Sequence, residues 1–278
     1  MSYIEDLKKL GCSYLGDVDK SVKIVKSLNH RVMTYCIYLA PATMAGRTNR
    51  GSRINVCPKS EHCKSFCLNG SGHNKSDILE KGIDKSLINL SRIRKTKLFY
   101  NDRATFMRIM VHEIQKFRNR ANRLGMDFAV RINGTSDLSP LLFVCEDGKN
   151  ILEKFSDVQF YDYTKLPNRY AVCDNYSNYD LTFSYDGYND KECSDVLRNK
   201  GGRVAVVFYG GKLPKRFNGW DVIDGNDSDI RFRDRKQCII GLHYHITAND
   251  FQIINGKRTF VEPNTPFVIM PNDERCKW

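Results

Sequence analysis

The sequence contains no run of about 18 uncharged apolar residues, so it offers no candidate transmembrane helix. Its opening stretch, residues 1–20, is charged throughout and lacks the apolar core of a secretory signal; a cytoplasmic protein is expected. No repeat, low-complexity segment or proline-rich linker divides the 278 residues. One α/β domain over 1–278 is therefore expected, with an N-terminal extension at 1–31 and a C-terminal one at 246–278. No glycine-rich phosphate loop is present and no GxGxxG turn follows any strand, which argues against a nucleotide-binding doubly wound sheet. Disorder is not expected either, because 41% hydrophobic residues suffice for an ordinary core.

Charge is plentiful but unevenly placed. Of a formal net charge of +12, residues 30–125 hold nineteen Lys/Arg against six Asp/Glu, and the flanks together are close to neutral. A basic region over 81–125 can attract a nucleic acid or another anionic partner. Two solvated basic helix faces would give the same composition.

The pattern along the chain is of strands alternating with helices. Val32–Leu39 reads as a strand, and a long polar loop, expected over 43–75, follows it. Helices are expected over Ser76–Leu98 and Asp102–Leu124. The second carries an apolar stripe of Phe106, Met107, Met110, Val111, Ile114, Phe117, Ala121 and Leu124, with Gly125 as its stop. Further strands are expected at Phe128–Ile132, Val158–Tyr163, Tyr179–Ser184, Arg203–Phe208, Trp220–Ile223 and Cys238–His243. Helix candidates at Ser139–Phe155 and Asp190–Asn199, and a short segment around Pro167–Asn175, separate several of them. This rhythm predicts a complete or partial (β/α) barrel with mainly parallel strands.

In such a barrel the loops after the strands converge on one rim. They offer Asn133, Gly134, Thr135, Ser136 and Asp137 after one strand, Lys165 after the next, then Ser184 with Asp186, and finally Lys212. Turns and helix caps use the same residue types, so single positions carry little weight; together they predict a polar binding site. His243 and His245, two apart on the last strand, share one side of it and suit either a metal or an internal hydrogen-bonded pair.

The densest chemistry lies in the long loop, where Cys57, Cys63 and Cys67 follow a C-x5-C-x3-C spacing. The other cysteines, among them Cys36, Cys145, Cys173, Cys193 and Cys238, are scattered and read as small buried hydrophobes. Three thiolates within eleven residues suit a metal, and Lys59 and Lys64 are expected to favour their ionised form. Structural zinc needs four ligands, with His62, His73, Cys36 or Cys238 as candidates for the fourth. A four-iron cluster on three cysteines keeps one iron open to an outside ligand. An iron–sulfur cluster is the expectation adopted, with zinc as the alternative.

A strand, a cysteine-rich loop and then strand–helix units resemble the arrangement of radical S-adenosylmethionine enzymes. The resemblance implies that Cys57, Cys63 and Cys67 hold a 4Fe-4S cluster and that S-adenosylmethionine binds its free iron. Asn133-Gly134-Thr135 stands where that family places a methionine-binding turn, while the cysteine spacing departs from its common C-x3-C-x2-C. The function so implied is modification of a nucleic acid or an anionic metabolite. The alternative is a zinc-stabilised nucleic-acid-binding or host-interaction protein without catalysis. Residues Cys57–Cys67, Arg131–Asp137 and Phe160–Lys165 are also similar to a group of phage-encoded gene products, over roughly residues 39–245. That likeness implies a place in the host cytoplasm and no particular activity.

Overall fold

The computed structural model describes residues 3–19 and 22–278. Helix α1 (Tyr3–Leu10), the short strand β1 (Gly16–Asp17) and helix α2 (Val22–Asn29) precede β2 (Val32–Ile37). The expected extension over 1–31 thus falls partly on residues 1, 2, 20 and 21, outside the described residues. Beyond the cysteine loop come α3 (Gly72–Lys81), α4 (Leu87–Asn101) and α5 (Arg103–Arg123). The chain then alternates through β3 (Asp127–Arg131), α6 (Ile151–Lys154), β4 (Gln159–Thr164), α7 (Tyr170–Asn175), β5 (Tyr179–Ser184), α8 (Asp190–Arg198) and β6 (Val204–Phe208). After β7 (Arg216–Phe217), β8 (Trp220–Asp224) and β9 (Ile239–His243), a hairpin of β10 (Phe251–Ile254) and β11 (Lys257–Phe260) stands apart. Two short strands close the list of elements, β12 (Val268–Ile269) and β13 (Cys276–Lys277).

The expected barrel with mainly parallel strands does not form. Among the described residues there is one open, mixed sheet of eleven strands, ordered β1-β2-β3-β4-β5-β6-β9-β8-β7-β13, with β12 beside β6. Its path has two separate ends, and antiparallel pairs mark both: β1 with β2, β8 with β7, and β7 with β13. Parallel pairs run between them, from β2 through β6 to β9 and β8. The strand–helix rhythm specifies the sequential parallel neighbours. It does not specify closure, which depends on how the first and last strands meet; here β1 caps one margin and β7–β13 the other.

Every residue of β2 is buried, because both faces of the sheet are covered and side chains alternate between them. On one face Tyr35, Ile37, Phe160, Phe183 and Val206 join Phe99, Phe106 and Ile114 of α4 and α5 in the main core. On the other, Val32, Ala129 and Tyr161 pack against Ile230 and Phe232 of the segment between β8 and β9. The same segment bridges toward α2, with Lys26 Nζ donating to the Asn226 carbonyl at 2.9 Å and His30 Nε2 2.8 Å from Asp227 Oδ2.

Local signals explain most boundaries and two corrections. Asp102 caps α5 by accepting from the Thr105 N–H at 3.0 Å, and Gly125 follows the helix at φ +60°. Within α5, Ile109 and Glu113 are buried with the expected stripe, while Leu124 is exposed. The single helix expected over Ser76–Leu98 is two helices, α3 and α4. Gly82 breaks it at φ +88°, and Ser86 starts α4 by accepting from the Asn89 N–H. The helix expected over Ser139–Phe155 shrinks to a turn at Pro140–Leu142 and the short α6. A bridge between Val144 and Asn150, with Gly148 at φ +80°, occupies the space between. Among the described residues no helix is long and apolar enough to cross a membrane.

Candidate metal centre

The carboxyl ends of β2, β3, β4, β5, β6 and β9 open onto one rim, and the cysteine loop lies across it. Cys57 Sγ contacts the Thr135 carbonyl after β3 at 3.6 Å and accepts from the Ala42 N–H at 3.4 Å. His62 stacks on Tyr188, beyond β5, with ring centroids 4.1 Å apart. Phe66 stacks on Phe267 at 6.3 Å and meets Tyr244, just after β9, edge-on at 6.5 Å. The loop therefore spans the rim from β3 to β9 (a tie that no local sequence signal encodes).

The three sulfurs share one neighbourhood. Burial above all pushes the Cys57 thiol up to about 12, and Cys67, Cys63 and Asp137 add to the rise against the Ala42 N–H. Burial also raises Cys67, with Cys63 adding to it, while the Asn69 backbone, Arg92 and Lys165 oppose it. The expectation that Lys59 and Lys64 favour the thiolates is corrected. Both are exposed, and the cations that act on Cys67 are Arg92 of α4 and Lys165 at the end of β4. All ten cysteines are free, and Cys36, Cys145, Cys193 and Cys238 are buried as expected, with Cys173 half-buried.

Among the described residues, no three His, Cys, Asp or Glu side chains are arranged to hold a metal ion. Of the candidate fourth ligands, His62 and His73 are exposed, Cys36 is buried within β2 and Cys238 is buried just before β9. A polynuclear cluster asks less of the sulfurs, because each binds a different iron and they stand further apart. Thiols are the donor type such a cluster takes.

The expected rim residues divide into two groups. Asn133 and Asp137 build the rim. Buried Asn133 donates through its N–H and Nδ2 to Asp162 at 2.8 and 2.9 Å, and its Oδ1 accepts from Ser136 Oγ at 2.7 Å. Asp137 accepts from Thr164 Oγ1 and the Lys165 N–H, each at 2.9 Å, and pairs with buried Arg169 at 3.1 Å. Gly134 is required by close approach: a Cβ there would lie 2.6 Å from the Tyr38 ring. Thr135 bonds the Leu39 carbonyl through its hydroxyl. Asp186 is buried and accepts from the Tyr188 N–H at 3.0 Å, which makes it a turn residue. In the second group Lys165 and Ser184 are half-buried, with Lys165 Nζ over the Phe267 ring, and Lys212 is exposed. His243 ends β9 with a buried Nδ1, whereas His245 lies beyond the strand.

Sequence reasoning missed Asp162, Arg169 and the inward turn of Arg92. Asp162 sits between aromatic residues in β4, and only its position opposite Asn133 reveals its use. Burial holds its carboxyl up at about 6, against bonds from Asn133 and the charges of Arg131 and Arg169. A raised folded-state pKa means that the native protein binds this proton more tightly than the unfolded chain. Stability from this group is therefore full at about pH 4 and falls as pH rises through about 6, by about 2–3 kcal/mol. Asp162→Asn should remove that slope. Denaturant melts of both proteins from pH 4 to 7 check it, and an unchanged slope would refute it.

The fold and site together define a mixed α/β protein with a thiol-bearing loop across the ends of its central strands. The chain belongs to the gene product 88 family, whose model matches residues 17–254, from β1 to the end of β10. The resemblance to phage-type gene products therefore holds at the level of the family, and none of the comparisons shows a likeness to radical S-adenosylmethionine enzymes. No curated protein and no solved structure matches the chain.

Proposed function

We propose that the protein is an iron–sulfur enzyme of the radical S-adenosylmethionine type. The observation that carries the proposal is the shared neighbourhood of Cys57, Cys63 and Cys67 over the ends of parallel strands, with Arg92 and Lys165 beside Cys67. Three cysteines leave one iron of a four-iron cluster without a protein ligand. Cys57, Cys63 and Cys67 would hold such a cluster, which would supply the electron for reductive cleavage of a sulfonium cosubstrate. The chain's own part is to bind and to shield. Arg92 and Lys165 offset the negative charge of the thiolates, and Phe66 with Phe267 and Tyr244 keeps water from one side of the rim. Lys165 and Lys212 would draw an anionic substrate.

A small anionic metabolite is favoured over a nucleic acid. Of the cations expected to form a basic face, Arg92 bonds Asn69 and is turned inward, and Lys95 is half-buried with its pKa lowered by burial. Arg118 pairs with Asp157 at 2.9 Å and Arg120 with Asp19 at 3.9 Å. Arg94 and Lys97 of the same set stay exposed, so only part of the basic composition of 81–125 remains as cationic surface. Anaerobic reconstitution with iron and sulfide should give a brown protein holding about four irons per chain. The reduced form should cleave S-adenosylmethionine. A colourless, iron-free product with intact thiols would refute the proposal.

A further inference from the structure

Four uncharged polar side chains are buried behind Cys67: Asn69, Asn74, Ser86 and Asn89. They come from the end of the cysteine loop, from α3 and from the start of α4, and their bonds form one connected set. Asn89 Oδ1 accepts from Asn69 Nδ2 at 3.0 Å and from Asn74 Nδ2 at 2.9 Å. Ser86 Oγ donates to Asn74 Oδ1 at 2.5 Å, and Asn89 Nδ2 donates to the Ile83 carbonyl at 2.9 Å. Asn74 Nδ2 also reaches the Asn69 carbonyl, and Arg92 Nη1 donates to Asn69 Oδ1. Apolar side chains would tie a loop to two helices without desolvating so many amides. A polar set with its partners in place fixes one geometry instead. That geometry is anchored two residues from Cys67.

Arg92 also reaches toward Cys57. Its guanidinium lies 5.1 Å from the centroid of the Tyr38 ring, and Tyr38 presses on Gly134. The next residue, Thr135, is the one whose carbonyl contacts Cys57 Sγ. One side chain thus joins the surroundings of the first and third cysteines, which are ten positions apart in sequence.

Building on the cluster role given to Cys67 above, we infer that Arg92 is a positioning residue. Through Asn69 and the asparagine set it holds Cys67 in register with Cys57 before any iron arrives. The test uses the full chain and two variants, Arg92→Met and Asn89→Ala. In metal-free, reduced protein, labelling by iodoacetamide is followed at each cysteine by mass spectrometry. Asn89→Ala, which keeps the Arg92 charge but loses several buried hydrogen bonds, should label Cys67 at least about tenfold faster than wild type, and Arg92→Met should do so when rates are compared per thiolate over a pH series. Buried Cys36 and Cys238 should stay protected, and Arg92→Lys should recover part of the protection at Cys67. In reconstituted protein, a chelator should strip iron from both variants at least about tenfold faster.

The outcomes separate the two ideas. Wild type that takes up no iron, with Cys67 released in both variants, would overturn the cluster reading and leave the positioning role of Arg92 standing. Cys67 labelling unchanged in folded variants would overturn the positioning role, whatever the iron content. Equal acceleration at Cys36 would also overturn it, by showing only a general loss of stability. So would release of Cys67 without faster iron loss.

Discussion

Replacing any one of Cys57, Cys63 or Cys67 by alanine should reduce bound iron after anaerobic reconstitution from about four per chain to below about one. On the proposed reading the three thiols are the cluster's only protein ligands, so losing one leaves two irons without a protein ligand. A cluster already missing one protein ligand tolerates no second loss. The buried thiols add a proton cost: Cys57, held up at about 12, must lose its proton on binding, so uptake should strengthen as pH rises. Iron assay and the visible spectrum of the three variants and wild type between pH 7 and 9 provide the check. Cys145→Ala and Cys193→Ala, at buried single thiols, serve as controls and should keep their iron. Full iron in any of the three rim variants would remove that residue from the ligand set.

The largest loss of stability is expected at Glu113, far from the rim. This carboxylate sits fully buried in the middle of α5 and accepts from three groups. The Leu15 N–H donates at 2.8 Å, the Gly16 N–H at 3.0 Å and the Tyr35 hydroxyl at 2.6 Å. Together these hold β1 at the margin of the sheet, where Gly16 packs so tightly on Tyr35 that a Cβ would lie 2.4 Å from its ring. Glu113→Ala leaves three buried donors without an acceptor and should cost about 3–5 kcal/mol. Glu113→Gln keeps one acceptor oxygen and should cost about 1–3 kcal/mol. Burial raises the Glu113 pKa against the bonds from Tyr35, Gly16 and Leu15, so its ionised form is the costlier one in the folded state. The Gln variant should accordingly lose less at neutral pH than under mildly acidic conditions, where the native carboxyl takes up its proton. Denaturant unfolding with hydrogen exchange at Leu15 and Gly16 would show this, and near-native stability of Glu113→Ala would contradict it.

Both residues show how far the sequence can be read. The cysteine trio is legible because three thiols fall within eleven residues, so spacing alone singles it out. Glu113 falls at helical spacing on the α5 face that packs against the sheet, and only its charge assigns it to solvent. Its partners lie about a hundred positions away, and burial there depends on where β1 lands. Arg92 poses the same difficulty in reverse. Composition counts it toward a basic surface, yet Asn69 and Tyr38 draw it inward.

What the sequence determined by itself is local. The caps at Asp102 and Ser86, the glycine stops, the β-branched and aromatic runs of the strands and the crowding of thiols are all properties of near neighbours. The break between α3 and α4 was also present, in Gly82 and Ser86, though an apolar pattern running through it hid the signal. Tertiary structure decided the rest: an open mixed sheet where a barrel was expected, a cysteine loop laid across six strand ends, and asparagines spent on holding one thiol. Those outcomes depend on contacts between segments distant in sequence. Periodicity reports which face of an element is apolar, and leaves undetermined which other element will cover it.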